Sequence, residues 1–156
     1  MNPTCALFAA ELAAVNDVTI ITNSTYIARS LGTAPGAKVI LLGGDYDTVA
    51  EVTTGPVTEL CAQEYYVNKI FVGIDGYTEE NGFTNINHTR CSTVRALAKQ
   101  ADKVIVLTTS DKFGKRSVAK MFSSDEVHTI VTDSQLSPEY ADTLRSHQIQ
   151  VELAEA

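Results

Sequence analysis

Five short runs rich in β-branched and aliphatic residues punctuate the chain: Val18–Ile21, Lys38–Leu42, Lys69–Val72, Val104–Leu107 and His128–Val131. Their apolarity is continuous, whereas a strand with one solvated face alternates apolar and polar side chains. Continuous runs of this length suit strands covered on both faces, as in a parallel sheet between helices. Helical stretches separate them. Ala6–Val15 is rich in Ala and Leu, Thr25–Leu31 is short, and Pro56–Glu64 carries proline at its first turn. Thr93–Ala101 sets Val94, Leu97, Ala98 and Ala101 on one face. Ser137 caps a helix that starts with Pro138 and runs through Tyr140–His147, and Gln150–Leu153 closes the chain as a last strand. Strands alternating with helices predict an α/β fold: a Rossmann-like, doubly wound, mostly parallel sheet with helices on both faces.

The 156 residues fit one domain, 1–156, around a single core, with no repeat, low-complexity stretch or linker. Thr4 opens a helix almost at once, although the first helix of an α/β unit normally follows a strand. We therefore expect a missing first strand, with Met1 an artificial start. The net charge of −7 makes this chain a poor partner for phosphate backbones, so it should not bind nucleic acid by itself. No apolar run reaches the roughly 20 residues of a membrane span, and residues 1–30 lack a basic segment followed by an apolar one. Cys5, Cys61 and Cys91 are odd in number and far apart, which suggests neither a disulfide framework nor a metal pair and fits a reducing cytoplasm. Each reads as a small apolar residue. His88, His128 and His147 fall in unrelated elements, so no metal or cofactor is expected.

Ligands of parallel sheets gather where strands end at their carboxyl termini and loops lead into helices. Four such places carry polar or glycine residues. Thr22-Asn23-Ser24-Thr25 could receive an anion on free backbone N–H groups, or Asn23 or Ser24 could simply cap the next helix. Gly43-Gly44-Asp45 permits positive φ and close approach of a ligand, or a sharp turn between strands. The stretch from Gly73-Ile74-Asp75-Gly76 to Asn81-Gly82-Phe83-Thr84 offers the Asp75 carboxylate to sugar hydroxyls, or an ordinary Asp-Gly turn, with His88 and Arg90 following in a polar loop. In Thr108–Gly114, Lys112 could neutralise a phosphate or carboxylate, or form a solvated pair with Asp111. No nucleophile elbow, Walker loop or dinucleotide fingerprint is present.

Taken in order, Ile21-Thr22-Asn23-Ser24, Leu42-Gly43-Gly44, Thr54-Gly55-Pro56, Phe71-Val72-Gly73-Ile74-Asp75-Gly76, Gly82-Phe83-Thr84, Asp111-Lys112-Phe113-Gly114 and Val131-Thr132-Asp133 resemble the C-terminal sensor domain of DeoR-family repressors, over roughly Thr4 to Val151. The resemblance implies a fold like ribose-5-phosphate isomerase and an effector that is a phosphorylated sugar or sugar alcohol. It implies a homo-oligomer that reaches operator DNA through an N-terminal winged helix-turn-helix absent from this sequence. Carried over residue by residue, the effector site comprises Thr4, Thr22, Asn23, Ser24, Gly43, Gly44, Asp75, Gly76, Thr84, Arg95, Lys112 and Phe113, with no catalytic residue. The chain departs from the pattern in places. Asn2-Pro3 stands where Gly-Ser is usual, and Thr108–Lys112 replaces Ala-Asp-Ser-Ser-Lys. Arg90 stands where a glutamate is common, and this reversed charge could favour a more anionic effector or merely alter a surface. The alternative is a sugar-phosphate isomerase-like enzyme, with Asp75 or Asp111 as general base beside Lys112. A third reading, a bare oligomerisation module, would leave the polar strand ends unexplained.

Overall fold

The apolar runs become strands of parallel sheets in a computed structural model that describes residues 3–155. Contacts divide the chain into two units, Met1–Tyr65 and Tyr66–Ala156. In the first, helix α1 (Pro3–Leu12) precedes β1 (Val18–Thr22), α2 (Thr25–Leu31) and β2 (Ala37–Leu41), and β1 and β2 pair in parallel with Ile20 opposite Val39. Leu31, at the end of α2, is fully buried, as a short helix with one apolar anchor requires. An antiparallel pair follows, β3 (Asp45–Asp47) with β4 (Val52–Thr54), and then α3 (Pro56–Ala62), which starts at the proline seen in the sequence.

The second unit contains β5 (Val67–Val72), β6 (Gly76–Thr78), β7 (Gly82–Asn85), α4 (His88–Ala98), β8 (Ala101–Leu107), β9 (Ala119–Phe122), β10 (Thr129–Asp133), α5 (Pro138–Ser146) and β11 (Gln150–Ala154). Its main sheet has the order β5-β8-β10-β11 and is parallel throughout, with Ile70 opposite Val104 and Val106 opposite Ile130. Parallel neighbours cannot be joined by tight hairpins, so each connection crosses back over the sheet. α4 and α5 supply two of these crossovers. A small antiparallel sheet, β6-β7-β9, lies beside them. Val72, Val106, Ile130 and Leu144 pack with Tyr77 and Phe83 in one core, the two rings 4.7 Å apart and tilted by 40°.

The structure confirms the α/β architecture and revises several bounds. The helix expected over Thr93–Ala101 is α4, which starts at His88 because Asn87 caps it: its Oδ1 accepts the Arg90 N–H at 3.0 Å. His88 and Arg90 therefore lie on a helix and not in a polar loop, while Ala101 opens β8. The helix expected over Ala6–Val15 is α1, ending at Leu12. The sequence reading missed β3, β4, β6, β7 and β9, each only three or four residues long. Met1 and Asn2, and with them the expected artificial start and half of the Asn2-Pro3 departure, lie outside the described residues. Cys91 is buried and its thiol donates to the Ala119 carbonyl at 3.8 Å, while burial pushes the Cys5 thiol up to about 11. Among the described residues no helix is long and apolar enough to cross a membrane.

Ile130 has no exposed surface and stands on a strand with partners on both sides. Ile130→Ala should lower unfolding free energy in urea by about 2–5 kcal/mol, the sum of lost transfer energy and a cavity. A loss below about 1 kcal/mol would show that the site collapses freely and is not core.

Candidate functional site

Within the first unit, the exits of β1 and β2 hold five of the expected site residues. Their polar groups are largely engaged by the protein. Thr22 Oγ1 accepts the Ser24 N–H at 3.0 Å, and Ser24 Oγ caps α2 by accepting the Ile27 N–H at 3.2 Å. The Asn23 amide donates from Nδ2 to the Thr53 carbonyl at 2.7 Å, and the Thr53 N–H returns a bond to the Asn23 carbonyl at 2.8 Å. Asn23 thus stitches the end of β1 to β4. Gly44 has φ +142°, and a Cβ there would lie 1.8 Å from Thr58 Oγ1 on α3. Gly43 differs: its carbonyl accepts the Thr58 hydroxyl at 2.7 Å, and a Cβ there would meet no non-adjacent residue within 4 Å. Thr4 lies in the first turn of α1.

In the second unit, Asp75 follows β5 and accepts the Ile86 N–H on Oδ2 at 2.9 Å, which orders the entry to α4. The Thr84 hydroxyl is buried, donating to the Gly76 carbonyl at 3.3 Å and accepting the Ser117 N–H at 2.9 Å. A Cβ on Gly76 would stand 2.4 Å from the Lys115 carbonyl oxygen, so glycine is what lets β6 touch the following loop. Arg95 is exposed in the last turn of α4. Burial and then the Asp75 carboxylate push the Cys91 thiol up, opposed by the guanidiniums of Arg90 and Arg95.

β8 leaves the sheet into a 3₁₀ turn, Ser110–Lys112. Lys112 is half-buried, with its ammonium 3.6 Å from exposed Asp111. Phe113 is buried, its ring 5.5 Å from Tyr77 and 5.7 Å from Tyr140, which makes it a core residue at the base of the loop. The Thr109 hydroxyl, by hydrogen bonding to Asp111, holds that carboxyl below the usual range, helped by Lys112. Beside this turn β10 ends at Asp133, whose Oδ2 accepts the Ser110 N–H at 2.7 Å and whose Oδ1 accepts the Gln135 N–H at 3.0 Å. Sequence reasoning met Asp133 only as part of a motif. Its signal was position, at the end of one buried strand and level with the polar exit of another.

At the opposite, amino-terminal edge of this sheet a polar cavity of about 280 Å³ opens beside Glu79, Glu80, Lys120, Asp125 and His147. Its carboxylates outnumber its lysine, so it is a poor host for a phosphate. Among the described residues no group of three His, Cys, Asp or Glu side chains gathers as metal ligands.

The demand for glycine at residue 44 can be checked directly. Gly44→Ala should cost about 1–3 kcal/mol through forced overpacking against Thr58. Chemical denaturation measures it, and an unchanged midpoint would mean that the β2 exit does not pack on α3 as described.

A family model for the DeoR C-terminal sensor domain matches residues 2–134. Among curated proteins, the chain is similar to YulB, an uncharacterised HTH-type transcriptional regulator of Bacillus subtilis, at 28% identity over 95% of this chain and 57% of that protein. It is similar to the HTH-type transcriptional regulator IolR of the same organism at 29% identity, over 88% of this chain and 55% of the relative. The HTH-type transcriptional regulator GolR of Listeria innocua is 26% identical over 99% of this chain and 61% of its own length. The chain therefore spans little more than half the length of these relatives, which are transcriptional regulators. With its motifs in family order on an α/β frame, the chain belongs to the DeoR C-terminal sensor domain family.

Proposed function

We propose that this chain is the effector-binding part of a cytoplasmic transcriptional repressor of sugar metabolism, and that its effector is a phosphorylated sugar or sugar alcohol. The observation that carries the reading is Lys112: an ammonium on a short turn at the carboxyl edge of a parallel sheet, where ligands of such sheets bind. A phosphate there gains charge-assisted hydrogen bonds, roughly twice as strong as neutral ones. The open backbone of Gly43 and the guanidiniums of Arg90 and Arg95 offer further anion-binding groups, each within its own unit. In the whole protein a separate DNA-reading segment, present in the helix-turn-helix relatives, would contact the operator, and the working form would be a homo-oligomer.

The isomerase reading needs a general base whose pKa lies near the working pH. Asp111 is poorly suited, since its hydrogen bond from Thr109 and the Lys112 charge hold it below the usual carboxylate range. Asp75 already accepts the Ile86 amide. Calorimetry with pentose and hexose phosphates, followed by an assay for aldose–ketose conversion, separates the readings. Binding without turnover supports the sensor, and turnover overturns it.

Lys112→Ala should weaken phosphosugar binding by about 1.5–3 kcal/mol, the range for a hydrogen bond to a charged group. Stability without ligand should change by less than about 0.5 kcal/mol, as at most surface positions. Thermal melts across a ligand titration read both quantities, and a mutant that keeps the full ligand-induced shift removes Lys112 from the site. The isolated chain, with its charge of −7, should give no specific, salt-sensitive gel shift with any operator. Such a shift would contradict a separate DNA-reading segment.

A further inference from the structure

We propose that Asp133 positions Lys112, by clamping the turn that carries it to the end of the neighbouring strand. The proposal rests on the phosphosugar reading of Lys112 and adds a residue to it. Leu107 at the end of β8 stands opposite Val131 in β10, and the Thr108 N–H continues the ladder to the Val131 carbonyl at 3.1 Å. There the two strands part. The Ser110–Lys112 turn leaves the sheet with its first amide given to Asp133 Oδ2 at 2.7 Å, while Asp133 Oδ1 takes the Gln135 N–H at 3.0 Å. One carboxylate thus ties together the exits of two adjacent strands.

The other end of the turn is fixed differently. The Phe113 N–H donates to the Ser110 carbonyl at 3.2 Å, and the Phe113 ring is held between Tyr77 and Tyr140. Lys112 is suspended between a carboxylate clamp and an aromatic plug. Its ion pair with Asp111 is too exposed to hold a geometry, since such pairs contribute little. A charged acceptor on a backbone amide is the stronger restraint. The charge state agrees with this role: the Ser110 amide first, then its hydroxyl and the Gln135 amide, hold the Asp133 carboxyl below its ordinary range.

The test compares Asp133→Ala and Asp133→Asn in the 156-residue chain, with Lys112 intact and in a Lys112→Ala background. Amide hydrogen exchange reports on residues 109–113, and calorimetry uses glucose 6-phosphate and inorganic phosphate as probes. Asp133→Ala should speed exchange at Ser110 and Lys112 more than about tenfold, since a charge-assisted bond is removed. Amides within β8 and β10 should keep their protection. Affinity for glucose 6-phosphate should fall about tenfold when Lys112 is present and stay unchanged when it is already alanine, a coupling that simple loss of stability would not produce. Asp133→Asn keeps one acceptor oxygen and should recover part of both effects. Unaltered exchange at Ser110 would overturn the clamp, and equal affinity losses in the two backgrounds would overturn its action through Lys112. If the unmutated chain binds neither these probes nor any other pentose, hexose or sugar-alcohol phosphate, the phosphosugar reading fails and the exchange data alone decide whether the clamp exists.

Discussion

Parallel pairing of β8 with β5 on one side and β10 on the other is the constraint from which the rest of the second unit follows. Parallel strands need crossovers and burial on both faces. Hence the continuous apolarity of Val104–Leu107, all four of which are buried, and hence the helices needed to return the chain. The same pairing aligns every strand in one direction, so Asp75, Lys112 and Asp133 all follow carboxyl ends while the acidic cavity beside His147 lies at the amino edge.

This explains which parts of the fold were legible. A strand buried on both faces leaves a run that chemistry alone makes visible, and the sequence reading found all the parallel strands within a few residues. A capped helix start is also legible: Ser24 and Ser137 each accept the amide of the residue three positions on. Asn87 does the same for α4 and was passed over, because the apolar face of that helix begins only at Cys91 and its first turn is polar. The antiparallel strands were illegible for another reason. Three residues such as Asp45–Asp47 are too short to show a period, and Gly76–Thr78 is a strand because it pairs with Gly82–Thr84, with the Gly114 N–H and Lys115 meeting Tyr77 on its other side.

The candidate site was legible as places more than as roles. Polar residues at strand ends guided the reading, and those named lie at or beside such exits except Thr4 and Arg95 on their helices and Thr84 within β7. What a sequence cannot display is how many of those polar groups the protein keeps for itself. Thr22, Asn23, Ser24 and Thr84 satisfy backbone amides and carbonyls, as buried or partly buried polar groups must. Gly44 and Gly76 make room for neighbours, and Phe113 fills the core. Lys112 keeps part of its side chain exposed beside Asp111, and the space where a Gly43 side chain would stand is open. Asp133 was missed because its partner, Ser110, is 23 residues away in sequence and meets it only through strand register.

The central claim is that a phosphorylated effector meets the carboxyl edge of the β8 strand at the turn that carries Lys112. Chemical-shift mapping of the isotope-labelled chain during titration with glucose 6-phosphate tests it most directly. The account predicts saturable shifts centred on the amides of Ser110, Asp111 and Lys112, much weaker with free glucose. Shifts centred instead on Glu79, Lys120 and His147 at the amino edge, or equal shifts with the free sugar, would contradict it.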